Sequence, residues 1–367
     1  MLQGVRPHGP RGNQSPHHHG FSEAAIRPDA TGVDATDTAM AYTVEIGVGD
    51  PETKFTLLVD TGTSNTWVGA DKKYVATKTS KNTGDTVSVN YGTGSFSGTE
   101  FLDKVTISPD LIIEKQSIGV ASESQGISAV DGVFGIGPID LTKDTVSGQL
   151  EVPTVLDNMT SQGIIKSNVL GIFFEPTVKE RTVTGELTFG GFDQRKITSN
   201  VTFTPITTVK PAAEYWGIKQ NIKYGKNLHL LSGSAGVVDT GTTLLVLATD
   251  AYQAYQKATG GVVDETTTLL KVTEEQYNNL QSLYFEIDGT TFEMTPNAQI
   301  WPRSQNVDIG GDPNSIYLIA SDLGQPSGEG IDFVNGFTFL QRFYSVFDTD
   351  KTRVGFATTA FTHATTN

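Results

Sequence analysis

Leu57-Leu58-Val59-Asp60-Thr61-Gly62-Thr63 and Gly236-Val237-Val238-Asp239-Thr240-Gly241-Thr242 are two versions of one phrase set half a chain apart. Each runs an apolar strand into Asp-Thr-Gly and follows the glycine with a hydroxyl residue. A carboxylate at the end of a buried strand is costly unless it is hydrogen-bonded or neutralised. One site shared by both copies supplies that relief. If the carboxyls meet across a two-fold-like axis, roughly 3 Å apart, they cannot both ionise and hold one proton between them. A general acid and a general base then stand side by side, able to activate a water. A lone Asp-Thr-Gly is an ordinary turn; duplication makes it specific.

The first copy continues into Ser64-Asn65-Thr66-Trp67, then Tyr91-Gly92-Thr93-Gly94-Ser95, then Asp131-Gly132-Val133-Phe134-Gly135-Ile136-Gly137. Phe189-Gly190-Gly191-Phe192-Asp193, Tyr215-Trp216-Gly217-Ile218 and Phe347-Asp348 complete the ordered set. From about Tyr42 to about Ala357 the chain resembles the pepsin family of aspartic endopeptidases. The resemblance implies a mainly β, bilobal acid-protease fold: two β-barrel-like lobes related by a pseudo-two-fold, with the active-site cleft between them. Residues 37–208 would form the N-terminal lobe with Asp60 and the flap, and 209–367 the C-terminal lobe with Asp239.

By the same resemblance Asp60 and Asp239 are the catalytic pair. Thr61 and Thr240 would hydrogen-bond across the lobe interface, Gly62 and Gly241 would present backbone amides, and Thr63 and Thr242 would bond the outer carboxylate oxygens. Tyr91 is the flap tyrosine, with Trp67 donating its indole N–H to the phenol, and Gly92 and Thr93 form the flap tip. Relatives that accept lysine beside the cleaved bond place an aspartate where this chain has Thr93, so apolar side chains are expected there. Leu58, Val133, Val237 and Thr243 are candidate lining of the substrate pocket. No metal and no cofactor are expected. The implied partners are protein or peptide substrates and pepstatin-type inhibitors, and the implied state is a secreted monomer.

Bulk properties agree with that reading. The chain has 367 residues and 37% hydrophobic content, enough for two sizeable cores. A net charge of −15 disfavours nucleic acid and anionic membrane as partners. No apolar run approaches the roughly 20 residues of a spanning helix. Cysteine is absent, so neither disulfides nor thiolate metal sites are available. Most pepsin relatives carry disulfides; here stability must rest on burial.

Residues 1 to 36, rich in Gly, Pro and His, show no apolar periodicity and are expected to be a leader or residual pro-segment outside the fold. No signal peptide is visible after Met1, and the mature chain is expected to begin around Ala30 to Asp37. His17-His18-His19 reads as a solvated tract. Tyr42, Val44, Ile46 and Val48 alternate as a strand, and Val87, Val89 and Tyr91 lead into a hairpin at Gly92-Thr93-Gly94. Short helices are expected around Val155–Met159, over Ala251–Ala258 capped by Thr249 and stopped by Gly260, and after a Thr273/Gln276 capping box. Asn158 and Asn200, with Asn13 in the leader, satisfy the glycosylation triplet. Beneath Asp60 the run Val133-Phe134-Gly135 is apolar, whereas Val334-Asn335-Gly336 brings an amide under Asp239.

Other chemistries fit less well. A fold-mate that only binds would lose an Asp, the flap Tyr or a neighbouring hydroxyl, and all are present. Paired glycosidase carboxylates stand farther apart. A serine hydrolase lacks its Gly-x-Ser-x-Gly elbow, and Gly92-Thr93-Gly94 opens no dinucleotide loop.

Overall fold

Residues 30–367 are described by the computed structural model. They form a 13-stranded, a 7-stranded and a 3-stranded sheet with a few short helices. Strand Tyr42–Val48 pairs antiparallel with Thr53–Asp60, Val44 facing Leu57 and Ile46 facing Phe55. It also pairs with Ser95–Ser108, which curls the sheet back on itself. Both faces of this strand are consequently covered, and of its residues only Glu45 is exposed.

One end of the large sheet joins the two halves of the chain. Phe343–Asp348 lies against Val169–Phe174, and Arg353–Thr358 pairs with Thr202–Pro205. Strand order therefore runs through the expected boundary at residue 208. Cross-ties include the Trp216 indole donating to the Ile136 carbonyl at 3.0 Å and the Thr243 hydroxyl donating to the Met40 carbonyl at 2.9 Å.

The expected leader is too long by its last residues. Thr31–Asp37 is a strand paired along its length with Thr182–Phe189, and Thr36 and Asp37 also pair with Thr43 and Tyr42. Its own apolar content is only Val33 and Ala35; neighbours on both edges order it. The His17–His19 tract and Asn13 lie outside the described residues.

Helices form at Val155–Ser161, Thr249–Thr259 and Glu274–Asn278, close to expectation. The Thr273/Gln276 capping box is present. The Thr249 cap is not: Ala248 occupies the cap position, and the Thr249 hydroxyl donates to Asp322 at 2.6 Å. Gly260 closes that helix in the left-handed region at φ 76°. No helix among the described residues is long and apolar enough to cross a membrane.

Candidate active site

Each Asp-Thr-Gly phrase ends a strand held inside its own half of the molecule. Thr53–Asp60 runs parallel to Gly132–Gly135, with Val59 opposite Phe134 and Asp60 opposite Gly135. Leu228–Val238 runs parallel to Phe333–Asn335, with Val237 opposite Val334 and Val238 opposite Asn335. A return strand closes each motif antiparallel: Trp67 faces Val133 in the first, Val246 faces Val334 in the second. Two similar frameworks thus deliver their aspartates to one place.

The threonines lock the frameworks together. Thr61 N–H donates to Thr240 Oγ1 at 2.9 Å, and Thr240 N–H donates to Thr61 Oγ1 at 3.0 Å. Each hydroxyl in turn donates to the opposite strand, Thr61 to the Val238 carbonyl at 3.2 Å and Thr240 to the Val59 carbonyl at 2.9 Å. All four bonds are buried, where an unpaired group would be costly.

Asp60 and Asp239 are 1% and 8% exposed and hydrogen-bonded to each other. The Gly62 amide donates to Asp60 Oδ1 at 2.8 Å and the Gly241 amide to Asp239 Oδ1 at 2.8 Å. Thr242 adds a hydroxyl to Asp239 Oδ2 at 2.7 Å. Burial lifts the Asp60 carboxyl well above the ordinary range, and the neighbouring Asp239 charge lifts it further. Asp239 is also raised by burial, but the shared bond, the Thr242 hydroxyl and the glycine amides oppose the rise. Two carboxyls so close cannot both ionise, and the pair shares one proton whose titration belongs to both. Glycine is required in both loops: a Cβ on Gly62 would stand 2.6 Å from the Asp239 carboxyl carbon, and one on Gly241 would stand 2.5 Å from that of Asp60.

The hairpin of Lys81–Asn90 and Ser95–Ser108 turns over at Tyr91, whose N–H donates to the Gly94 carbonyl at 2.7 Å. Trp67 Nε1 donates to the Tyr91 phenol oxygen at 2.8 Å while its ring stacks on Phe96 at 4.3 Å. Gly92 and Thr93 are exposed at the tip. The Thr63 hydroxyl is engaged with the same phenol. The expectation that both hydroxyl residues meet carboxylate oxygens therefore fits Thr242, whereas Thr63 faces the flap. Burial, and next the charge of Asp60, push the phenol pKa upward, so Tyr91 stays neutral.

The expected lining residues divide. Leu58 is half-buried beside Trp67 and Tyr91, while Val133 is fully buried in the same cluster and supports Trp67 from behind. Val237 belongs to the main core, and Thr243 is spent on Met40. Asn335 turns away from the carboxyls: its side chain and that of Gln220 exchange amide hydrogen bonds at 2.9 and 3.1 Å. Its backbone carbonyl accepts from Asp239 N–H at 3.1 Å. Asn200 is exposed just before a strand, whereas the half-buried Asn158 amide donates to Gln116 at 2.9 Å inside a helix, which disfavours it as a glycan acceptor. Among the described residues no group of three or more His, Asp or Glu is placed to hold a metal ion.

Comparison with known proteins accords with this geometry. Polyporopepsin from Irpex lacteus is 57% identical over 340 residues, covering 92% of this chain and 100% of that protein. Human gastricsin is 30% identical over 339 residues, covering 87% of this chain and 82% of its own length. The crystal structure of the aspartic proteinase from Irpex lacteus superposes with a TM-score of 0.91 at 57% identity, covering 92% of this chain and 100% of that one. The model of the eukaryotic aspartyl proteases matches residues 41–359. With both halves of the duplicated phrase inside that match, the chain belongs to the eukaryotic aspartyl protease family and is a pepsin-like hydrolase of peptide bonds.

Proposed function

We propose that the chain is a secreted endopeptidase that cuts internal peptide bonds of proteins at acid pH, using a water held between Asp60 and Asp239. One observation carries the reading: two buried carboxyls share a hydrogen bond and are fixed by the Thr61/Thr240 cross-tie. Asp239, with the Thr242 hydroxyl and the Gly241 amide on its oxygens, is the base that removes a proton from the water. Asp60 gives its proton to the carbonyl oxygen as the water oxygen adds to the carbonyl carbon. The tetrahedral gem-diol returns a hydroxyl proton to Asp60, Asp239 passes its acquired proton to the leaving nitrogen, and the C–N bond breaks. Acid pH suits this cycle because the pair needs exactly one proton shared between two raised carboxyls.

Tyr91, positioned by Trp67, closes over the substrate with Gly92 and Thr93. Thr93 offers no charge to an ammonium group, which favours apolar side chains at the cleaved bond. The lobes are assigned to 37–208 and 209–367, with the first extended back to Thr31 by its strand. The protein acts as an extracellular monomer on protein or peptide substrates, is blocked by pepstatin-type inhibitors, and carries a glycan at Asn200 when made in a glycosylating host. A pH profile of casein or haemoglobin hydrolysis, with and without pepstatin, tests the reading beside Asp60→Asn and Asp239→Asn. The expected result is a pepstatin-sensitive optimum at about pH 3 to 4 that both variants abolish. Cleavage that survives either substitution overturns it.

A further inference from the structure

Strand Lys81–Asn90, which leads into the flap turn, lies at the rim of the 13-stranded sheet. A rim strand offers the N–H and C=O of every second residue to whatever lies beside it. At Thr86 and Ser88 those groups are taken. Ser88 N–H donates to the Thr145 carbonyl at 2.9 Å and Ser147 N–H to the Thr86 carbonyl at 2.9 Å, an antiparallel bridge centred on Val87 and Val146. Thr86 N–H donates to the Ser147 hydroxyl at 2.8 Å. On the inner side Val87 and Val146, both buried, join the cluster that contains Trp67 and Phe96, with Tyr91 at its margin. Asn90, the next residue facing the rim, is exposed.

The bridging segment also reaches the loop that presents Asp60. Asn65 Nδ2 donates to Thr145 Oγ1 at 2.9 Å, and Thr145 Oγ1 donates to the Thr142 carbonyl at 2.6 Å. Thr142 is pinned in turn, its hydroxyl accepting from Val152 N–H at 3.0 Å. One short segment therefore grips the flap stem on one side and the Asp60 loop on the other.

We propose that residues 142–152 are a brace for the flap, with Thr145 and Ser147 as positioning residues that fix the hairpin stem relative to Asp60. Opening for substrate then bends the hairpin beyond Ser88, over residues 89–94, and not at its root. The proposal rests on the endopeptidase reading for its kinetic consequence but not for its mechanical one. The test compares the full chain with Thr145→Val, which cuts the tie to Asn65, and Ser147→Pro, which removes the N–H donated to Thr86 together with the hydroxyl. Amide hydrogen exchange over residues 86–94 should quicken about fivefold or more in each variant while the rest of the lobe is unchanged. KM for a peptide spanning both sides of the cleaved bond should rise about fivefold, with kcat within about twofold and both limbs of the pH profile unmoved. Folded variants with wild-type exchange at 86–94 and wild-type KM overturn the proposal, as does exchange that quickens throughout the lobe. Thr145→Val keeps every backbone bond of the bridge and decides the matter if Ser147→Pro does not fold. Should the wild type cleave no peptide, the endopeptidase reading fails, and the exchange measurement still judges the brace.

Discussion

The Asp60 and Asp239 loops share a backbone and differ in what surrounds it. Both have the parallel partner strand, the antiparallel return strand, the crowded glycine and the threonine cross-tie. Beneath the first, Phe134 packs edge-on against Phe189 at 6.3 Å; beneath the second, Asn335 is paired with Gln220. The return strand carries Trp67 in one and Val246 in the other, and only Trp67 reaches a flap. Thr63 looks to that flap while Thr242 bonds a carboxylate. The shared features place the carboxyls, and the differing ones give each loop its own neighbours: Thr63 and Trp67 meet Tyr91, and Thr242 meets Asp239.

Changes to the shared features should hit both loops alike. Gly62→Ala and Gly241→Ala each push a methyl into the opposite carboxyl, and each should lower kcat/KM by about 10²-fold or more without loss of β-sheet circular dichroism. A large effect in one loop alone would break the symmetry.

Stability against pH should instead separate the halves. Burial raises the Asp37 carboxyl to about 6 and the Glu100 carboxyl to about 7, and both lie in the first half of the chain. Glu100 Oε2 is buried without a partner. Because the folded form prefers these groups protonated, their stabilisation is complete below the unfolded values of 3.8 and 4.5 and is lost as pH rises through about 6 and 7. The loss is roughly 3 kcal/mol for each group. Tm should therefore fall from pH 4 to 7 by thermal melting, and Glu100→Gln should flatten part of that fall; an unchanged slope would refute the assignment.

Charge handling distinguishes the two hydroxyls. Thr242→Val removes a donor from the ionised carboxylate and should cost about 2 kcal/mol in kcat, moving the acid limb of the pH profile upward. Thr63→Val should leave that limb in place and raise KM. Equal limb shifts in steady-state profiles would erase the distinction. A smaller effect of about 1 kcal/mol is expected in KM for Trp67→Phe, which keeps the stacking on Phe96 but loses the N–H donated to Tyr91. Asn335→Leu leaves the Gln220 amide unpaired; denaturant melts should show a loss of about 1 kcal/mol that Gln220→Leu in the same chain recovers.

Much of this was legible in the sequence because its chemistry is local. Asp-Thr-Gly twice over carries its own cost and remedy, a tyrosine before Gly-Thr-Gly marks a turn, and Thr273 with Gln276 writes a helix start. What escaped was set by partners distant in the chain. Thr31–Asp37 looks like a tail by composition and becomes a strand because neighbours flank it. Thr249 looks like a cap until Asp322 claims its hydroxyl. Gln220 left a trace, a polar side chain between Ile218 and Ile222 on the buried face of one strand, but nothing local names Asn335 as its mate. The hold of Ser147 on the flap stem has no sequence signature at all.

The threonine cross-tie has a consequence for how the molecule is made. Neither half alone owns a working centre, and Phe343–Asp348 must come to rest on Val169–Phe174 before the halves are joined in one sheet. While the chain is still emerging from the ribosome it carries one carboxyl without its companion. The shared centre is therefore complete in its sheet only once Phe343–Asp348, near the end of the chain, has been made.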